Sequence, residues 1–547
     1  DLSGIGVDGL DLSGNAASLT LARLDTILDT GLRFASSDAI TIVDSQINVG
    51  DLTTLQIATL STRGVSAIDL TDLYDQVILS LAQAQAFIDG TIHFAADDTV
   101  VVEVTTADLA ALDANDIADL ASIRVDMLRT TAGAVSIDTA LYAALLGNGI
   151  VIDAGIENVT LVDTGANLAA LTLVQISALQ DNDIRQLDAS DNLVSLSYER
   201  IAALQDAGAS FAAGDIVRLK VDSAGLAGLD GAMLANALSF GATEITSSSA
   251  NLDATAATLA TVLASGLVFA DEIVTRLSDS YANLAALTNL ERVDFERIGV
   301  DVIRLVDTAS NISALSLENI DSLAAIGVTV LHPTDGDISL GLEKIQALSG
   351  QDMHFDSADT VIVTGSASAL ADPGTLDLPA LSAVGVDKID VTDNALTLSL
   401  DQANTYLAAG IGFVAADAIT VTMTLAEANA LSSSAGAALR TAGVDTLSIS
   451  LSPSEIKALT ITQIAALGSA GINAVDIEPD AVTLSSAQVA AFDTAGIDFA
   501  ADDVITEHQA PSLTNDTATA KEGATATVSV LANDTAYDGL SLGLDGV

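Results

Sequence analysis

Carboxylates are the side chains through which this 547-residue chain could do chemistry. Acidic corners recur along it at Asp97-Asp98, Asp215, Asp359, Asp417 and Asp502-Asp503, about once per repeating unit. Stacked in a row, hard oxygen donors of this kind either form a solvated, mutually repelling edge or share calcium ions between successive coils, which relieves the repulsion. Asp97, Asp98, Asp502 and Asp503 are the paired positions, and so the calcium candidates of the row. Weak, extracellular-type affinity is the expectation. Other chemistries find little purchase. Of the four histidines, His93, His332, His354 and His508, no two stand at metal-binding spacing. His93 and His354 precede Phe94 and Phe355 in equivalent corners, which reads as a repeat position. No Gly-rich phosphate loop follows a strand, and no Gly-x-Ser-x-Gly elbow occurs. A glycosidase would need two carboxylates converging in a cleft, and among 74 acidic residues no pair stands out. With no cysteine, disulfides and thiolate metal sites are excluded. The expectation is a non-enzymatic chain without an organic cofactor.

The elements that would position these corners repeat. The turn Gly-Val-Asp, once Gly-Val-Ser, begins at Gly6, Gly64, Gly299, Gly385 and Gly443, and both Gly6 to Gly64 and Gly385 to Gly443 are 58 residues. Gly299 to Gly385 is 86, or 58 plus 28, so two alternating coils of about 28 to 31 residues make one beat. Such a period points to a solenoid of stacked supersecondary units. Between Gly385 and Ala418, Ile389 and Val391 alternate with Asp390 and Thr392 as in a half-buried strand. Asp393-Asn394 turns the chain, and Leu396, Leu398 and Leu400 lead into a helix with Ala403, Tyr406 and Leu407 on one face. Gly410 stops it, as Gly208, Gly327 and Gly496 would stop theirs. Ser80 with Gln83, Thr172 with Gln175, Ser399 with Gln402, Thr460 with Gln463 and Ser485 with Gln488 have capping-box spacing at helix starts. A second apolar stretch, such as Ile92 and Phe94, leads through the acidic corner to a second strand, for example Val100 to Val104 or Ile419 to Val421. Strand, helix, strand, helix means α/β with parallel strands.

Val386-x-x-Ile389-x-Val391-x-x-Asn394-x-Leu396 resembles the leucine-rich-repeat consensus, Val7-x-x-Leu10-x-Leu12-x-x-Asn15 follows most of it, and Ile184-x-x-Leu187-x-Ala189-x-x-Asn192 is a weaker copy. The resemblance implies strands lining one face of each coil and an asparagine side chain bonded to the backbone inside the turn. Elsewhere the asparagine shifts by three, as in Asp163-Thr164-x-x-Asn167, Asp279-Ser280-x-x-Asn283 and Asp307-Thr308-x-x-Asn311. The fold class expected for residues 1–506 is therefore an α/β, leucine-rich-repeat-like solenoid. About seventeen coils at about 4.8 Å would make a rod or gently curved superhelix of roughly 80 Å.

Composition sets the partners. A formal charge of -56, from 18 basic and 74 acidic side chains, repels nucleic acid and anionic membranes. Half the residues are hydrophobic but only 3% aromatic, which suits narrow coils filled with aliphatic side chains and offers few rings for a sugar platform. Ala254 to Ala270 carries no charge over seventeen residues. A span needs roughly 20 apolar residues, so this run is expected to be a helix plus a strand and no membrane insertion is expected.

From 507 to 547 the pattern changes. Ala510-Pro511, Lys521-Glu522-Gly523, Val530-Leu531-Ala532-Asn533-Asp534-Thr535 and Asp538-Gly539 resemble the start of the cadherin-like and VCBS-type immunoglobulin-fold modules of giant bacterial adhesins. The resemblance implies a linker and a truncated β-sandwich module, with Asp534 and Asp538 as further calcium candidates. It also implies export by type I secretion in an RTX/VCBS-type surface protein, although the RTX nonapeptide repeat is missing here. The expected role is an extracellular stalk or ligand-presenting scaffold on the bacterial surface, in attachment or biofilm. A lattice or filament subunit and a leucine-rich-repeat-like module binding a protein or glycan are the alternatives. Partners are then a surface protein, a glycan or another copy of the chain.

Overall fold

Among the described residues every strand ladder is parallel, as a chain that returns to its sheet across helices requires. The computed structural model describes residues 6–71, 76–130, 134–153 and 159–508, and beyond these 514–517, 519, 522–523, 525, 529, 531 and 534. The chain divides into two units, Asp1–Leu277 with Leu290–Asp301, and Ser278–Asn289 with Val302–Val547. Each is an α/β, leucine-rich-repeat-like solenoid of parallel strands and helices.

A coil of the second unit shows how the sequence builds it. The strand Val386–Val391 buries Ile389 and Val391, and Thr392 to Asn394 then turns the chain. Asn394 adopts a positive φ of 57°. Its N–H donates to Val391 O at 2.7 Å, and its carbonyl accepts from Ala418 N at 3.0 Å. Here the main chain carries the turn. Leu396 and Leu398, expected to lead into the helix, belong instead to a second strand, Ala395–Ser399, and both are buried. Their spacing of two fits a strand face, and the helix Leu400–Ala408 begins only after Ser399 caps it.

The next coil repeats the step below. Gly412–Phe413 pairs with the first strand (Ile389 opposite Phe413), and Ala418–Met423 pairs with the second (Leu398 opposite Val421). One ladder thus ends and its neighbour begins at each such turn. In the first unit these sidesteps follow Leu10, Leu70, Thr130, Ala189 and Thr246, at intervals of 57 to 60 residues. The 58-residue beat is the distance between sidesteps. Coils alternate because a single helix follows each sidestep, whereas the intervening coil uses two, such as Leu425–Ala430 and Ser433–Thr441. The longer interval before Gly385 holds an additional coil, with Val302–Asp307, Val328–Pro333 and Val361–Gly365 all preceding Val386.

All five expected capping boxes form, each hydroxyl accepting the N3 N–H and each glutamine reaching back. Gly208, Gly327, Gly410 and Gly496 have φ between 67° and 89° where their helices stop. Ala254 to Ala270 resolves into the helix Ala256–Ser265 and the strand Val268–Phe269. No helix among the described residues is long and apolar enough to cross a membrane. The last ladder pairs Ala481–Ser485 with Val504–His508, two residues past the expected end of the solenoid at 506.

The core is mainly aliphatic, and aromatic pairs recur in the single-helix coils. There a helix ring meets the corner phenylalanine edge-on, Phe87 on Phe94 at 5.2 Å, Tyr406 on Phe413 at 5.8 Å and Phe492 on Phe499 at 5.1 Å. Tyr406 is fully buried and its hydroxyl donates to Leu370 O of the coil before. Burial raises its phenol well above the ordinary value, so it stays a donor. Tyr406→Phe would leave that carbonyl without its partner and is expected to cost about 1 kcal/mol, read as a lowered urea midpoint.

Candidate functional site

The acidic side chains act between coils, on main-chain donors. In Gly443-Val444-Asp445 the glycine has φ 100°, and a Cβ on it would meet Phe413 O at 2.7 Å, so the turn is closed to other residues. That turn delivers Asp445 to the strand start 26 residues earlier. Ile419 N donates to Asp445 Oδ2 at 2.9 Å, and Asp445 N donates to Ile419 O at 2.9 Å. The same reciprocal pair joins Asp301 to Thr275, Asp126 to Val100 and, with an amide in place of the carboxylate, Asn473 to Leu447. Each such residue clamps its coil to the preceding one.

The corner aspartates form a second row of clamps at the other end of the strand. Asp38 accepts from Leu12 N, Asp98 from Leu70 N, Asp215 from Ala189 N, Asp417 from Val391 N and Asp503 from Ile477 N. Asp38, Asp98 and Asp417 are buried, 5%, 7% and 3% exposed, so this edge is not the solvated one the sequence suggested. Asp98 and Asp503 use their other oxygen on Ala95 N and Ala500 N, both at 3.1 Å. Burial pushes both carboxyls above the ordinary value, helped by the neighbouring charges of Asp69 and Asp97 in one corner and Asp476 and Asp502 in the other. Asp97 and Asp502 themselves are exposed.

A third arrangement explains the shifted asparagines. Asn167, Asn283 and Asn311 donate through Nδ2 to Asp163, Asp279 and Asp307 at 2.7, 2.6 and 2.6 Å, just before each helix. Asn48 does the same for Asp44. The second oxygen of Asp44, Asp163 and Asp307 accepts from Leu21 N, Thr139 N and Tyr281 N. Burial pushes these three carboxyls up, but their hydrogen bonds outweigh it and hold them below the ordinary value.

Asp476, Asp502 and Asp503 place one carboxylate oxygen each within 4.8 Å of one another. Calcium takes six to eight oxygens, and this set supplies three, one of them from a residue already holding two backbone donors. Asp534 is half-buried and accepts from Thr514 N at 2.5 Å. Asp538 lies outside the described residues. His93 is half-buried and His354 exposed in equivalent short strands, whereas His332 bonds Asp359, a pairing that nothing in the histidine spacing announced.

On the strand faces, arginines pair with acids across neighbouring strands, Arg129 with Asp153, Arg276 with Asp253 and Arg218 with Glu244, and Arg218 also reaches Glu272 in the turn before the strand Val274–Asp279.

No protein-family model and no curated protein matches this sequence. Among solved structures the chain is similar to the leucine-rich repeat-containing protein LegL7 from Legionella pneumophila, at 14% identity over 64% of this chain and 90% of that one, with a TM-score of 0.15. It is also similar to the plant peptide hormone receptor RGFR1 in complex with RGF2, at 11% identity over 92% and 69%, with a TM-score of 0.13. Scores this low leave the fold to rest on the chain's own strand ladders.

Proposed function

We propose that this chain is a non-enzymatic scaffold of a bacterial surface protein, a stalk or ligand-presenting region that serves attachment or biofilm. The observation that carries the reading is the use of carboxylates as coil-to-coil clamps. The clamping carboxylates are spread along the successive junctions, where each resists separation of neighbouring coils. The arginine–acid pairs support the same reading, because each ties one strand to a neighbouring one. The formal charge of -56 keeps such a chain soluble and apart from anionic surfaces. The tail's resemblance to adhesin modules supplies the extracellular setting.

Non-adherent bacterial cells displaying the folded chain are expected to settle on abiotic and host-cell surfaces at least about tenfold more than cells displaying an unrelated solenoid, since many weak contacts on one cell act together. Equal settling of both, with the chain shown to be folded on the surface, would overturn the adhesive reading.

A further inference from the structure

One corner departs from the rest. At Asp38, Asp417 and Asp503 the aspartate N–H donates to the carbonyl three residues back, Ala35, Val414 and Ala500, and the N–H of that earlier residue bonds the preceding coil. Asp359 repeats this geometry, its N–H on Asp356 O and Asp356 N on Leu331 O. In the other three, the carboxylate accepts the main-chain N–H of the residue 26 places earlier. Twenty-six before Asp359 is Pro333, which has no N–H. The neighbouring side chain supplies the missing donor: His332 Nδ1 lies 2.8 Å from Asp359 Oδ1.

The pair is set among other charges. The Asp359 side chain is 6% exposed and the imidazole 33%. On the adjacent strand Val302–Asp307, Val306 stands opposite His332, and Arg304 pairs with Asp356 at 2.5 Å. Asp307 at the end of that strand is committed to Tyr281 N, Thr308 N and Asn311, and exposed His354 sits opposite Val330. Arg304 pairs with Asp356 and also acts electrostatically on Asp359, the carboxylate that the imidazole touches.

We propose that the Val328–Pro333 coil carries a pH-responsive clamp, in which protonation of His332 turns its hydrogen bond to Asp359 into an ion pair and tightens this junction. The neutral ring donates from Nδ1, and a proton taken from solvent adds at Nε2, so no existing bond is broken. Imidazole is the side chain that changes charge between about pH 5 and 8, and the added proton sets a positive charge against the ionised carboxylate, a Coulombic attraction the neutral ring lacks. In the backbone clamps the donor is a main-chain N–H, which does not titrate. Acidification therefore tightens this junction selectively, and rising pH loosens it.

Hydrogen exchange of the full chain at pH 5.5 and 8.0, corrected for intrinsic rates, tests this. Amides of residues 328–332 and 354–355 are expected to gain about threefold or more protection at pH 5.5, relative to residues 386–391 and 412–413 at the Asp417 corner. The Asp417 comparison removes the general effect of lowering the chain's net charge. His332→Gln keeps a donor that does not titrate, and Pro333→Val restores the main-chain N–H; each is expected to abolish the selective gain. Equal protection of the wild-type junction at both pH values, or a selective gain that survives in His332→Gln, would overturn the proposal. Should Pro333→Val fail to fold, His332→Gln decides.

Discussion

Gly436→Ala is expected to destabilise the second unit by about 2 kcal/mol or more, although helix propensity alone favours alanine by about 1 kcal/mol. Gly436 is buried in the helix Ser433–Thr441, and a Cβ built on it would stand 1.9 Å from Ala470 O and 3.0 Å from Ala470 C. Those are main-chain atoms at the end of the adjoining helix Ile461–Ser469, so relief requires one helix to move away from the other. Gly165→Ala meets the same obstacle in the first unit, with Leu193 O at 1.7 Å. Gly147 supplies the control: it lies in the helix Thr139–Asn148 with nothing within 4 Å of its would-be Cβ. There the substitution is expected to raise stability by up to about 1 kcal/mol. Urea unfolding of the three variants, with hydrogen exchange to localise the change, separates close coil packing from propensity. A gain at Gly436 equal to that at Gly147 would mean the coils are looser than the geometry states.

Much of this architecture is legible in the sequence. Ser399 with Gln402 and Gly410 bound their helix from the sequence, because caps are local chemistry. The 58-residue interval was visible, but its meaning was not. Leu396 and Leu398 read as the approach to a helix, since nothing local distinguishes a second short strand from a helix entrance when leucines fall on alternate residues. Only the register with Ile419 and Val421 in the next coil settles it. The role of the aspartates was hidden for a different reason. Their partners are main-chain N–H groups, which leave no mark in a sequence, so the clamps made by Asp98 and Asp503 are not legible there. Two signals were nevertheless present. The aspartate of Gly-Val-Asp recurs with the turn itself, and Pro333 stands where a donor belongs. Arg124 conceals one copy of the clamp, holding φ 66° in the glycine position before Val125-Asp126.

Asp445→Ala and Asp445→Asn are expected to behave differently, and the difference distinguishes a clamp from an ion ligand. Alanine removes the acceptor from Ile419 N and leaves a partly buried donor unsatisfied, a loss of about 1–3 kcal/mol. Asparagine keeps an oxygen in place, and the chain already contains this solution one coil later. Asn473 Oδ1 accepts from Leu447 N at 2.8 Å, and its Nδ2 donates to the carbonyl of Asp445 at 3.1 Å. Asp445→Asn should therefore cost less than about 0.5 kcal/mol, or stabilise slightly by removing one negative charge from a chain at -56. The reciprocal change, Asn473→Asp, should also be tolerated but should lose the Nδ2 bond. Neighbouring coils share these junctions, so the effect of alanine is expected to appear as faster hydrogen exchange on both sides of the 419–445 contact, with distant coils unchanged. If the carboxylates instead served bound cations, neutral asparagine would be as damaging as alanine in calcium, and both variants would match the wild type in chelator. Equal losses for the two substitutions under both conditions would show that the carboxylate's charge, and not merely an oxygen acceptor, holds the coils together at this junction without a bound cation.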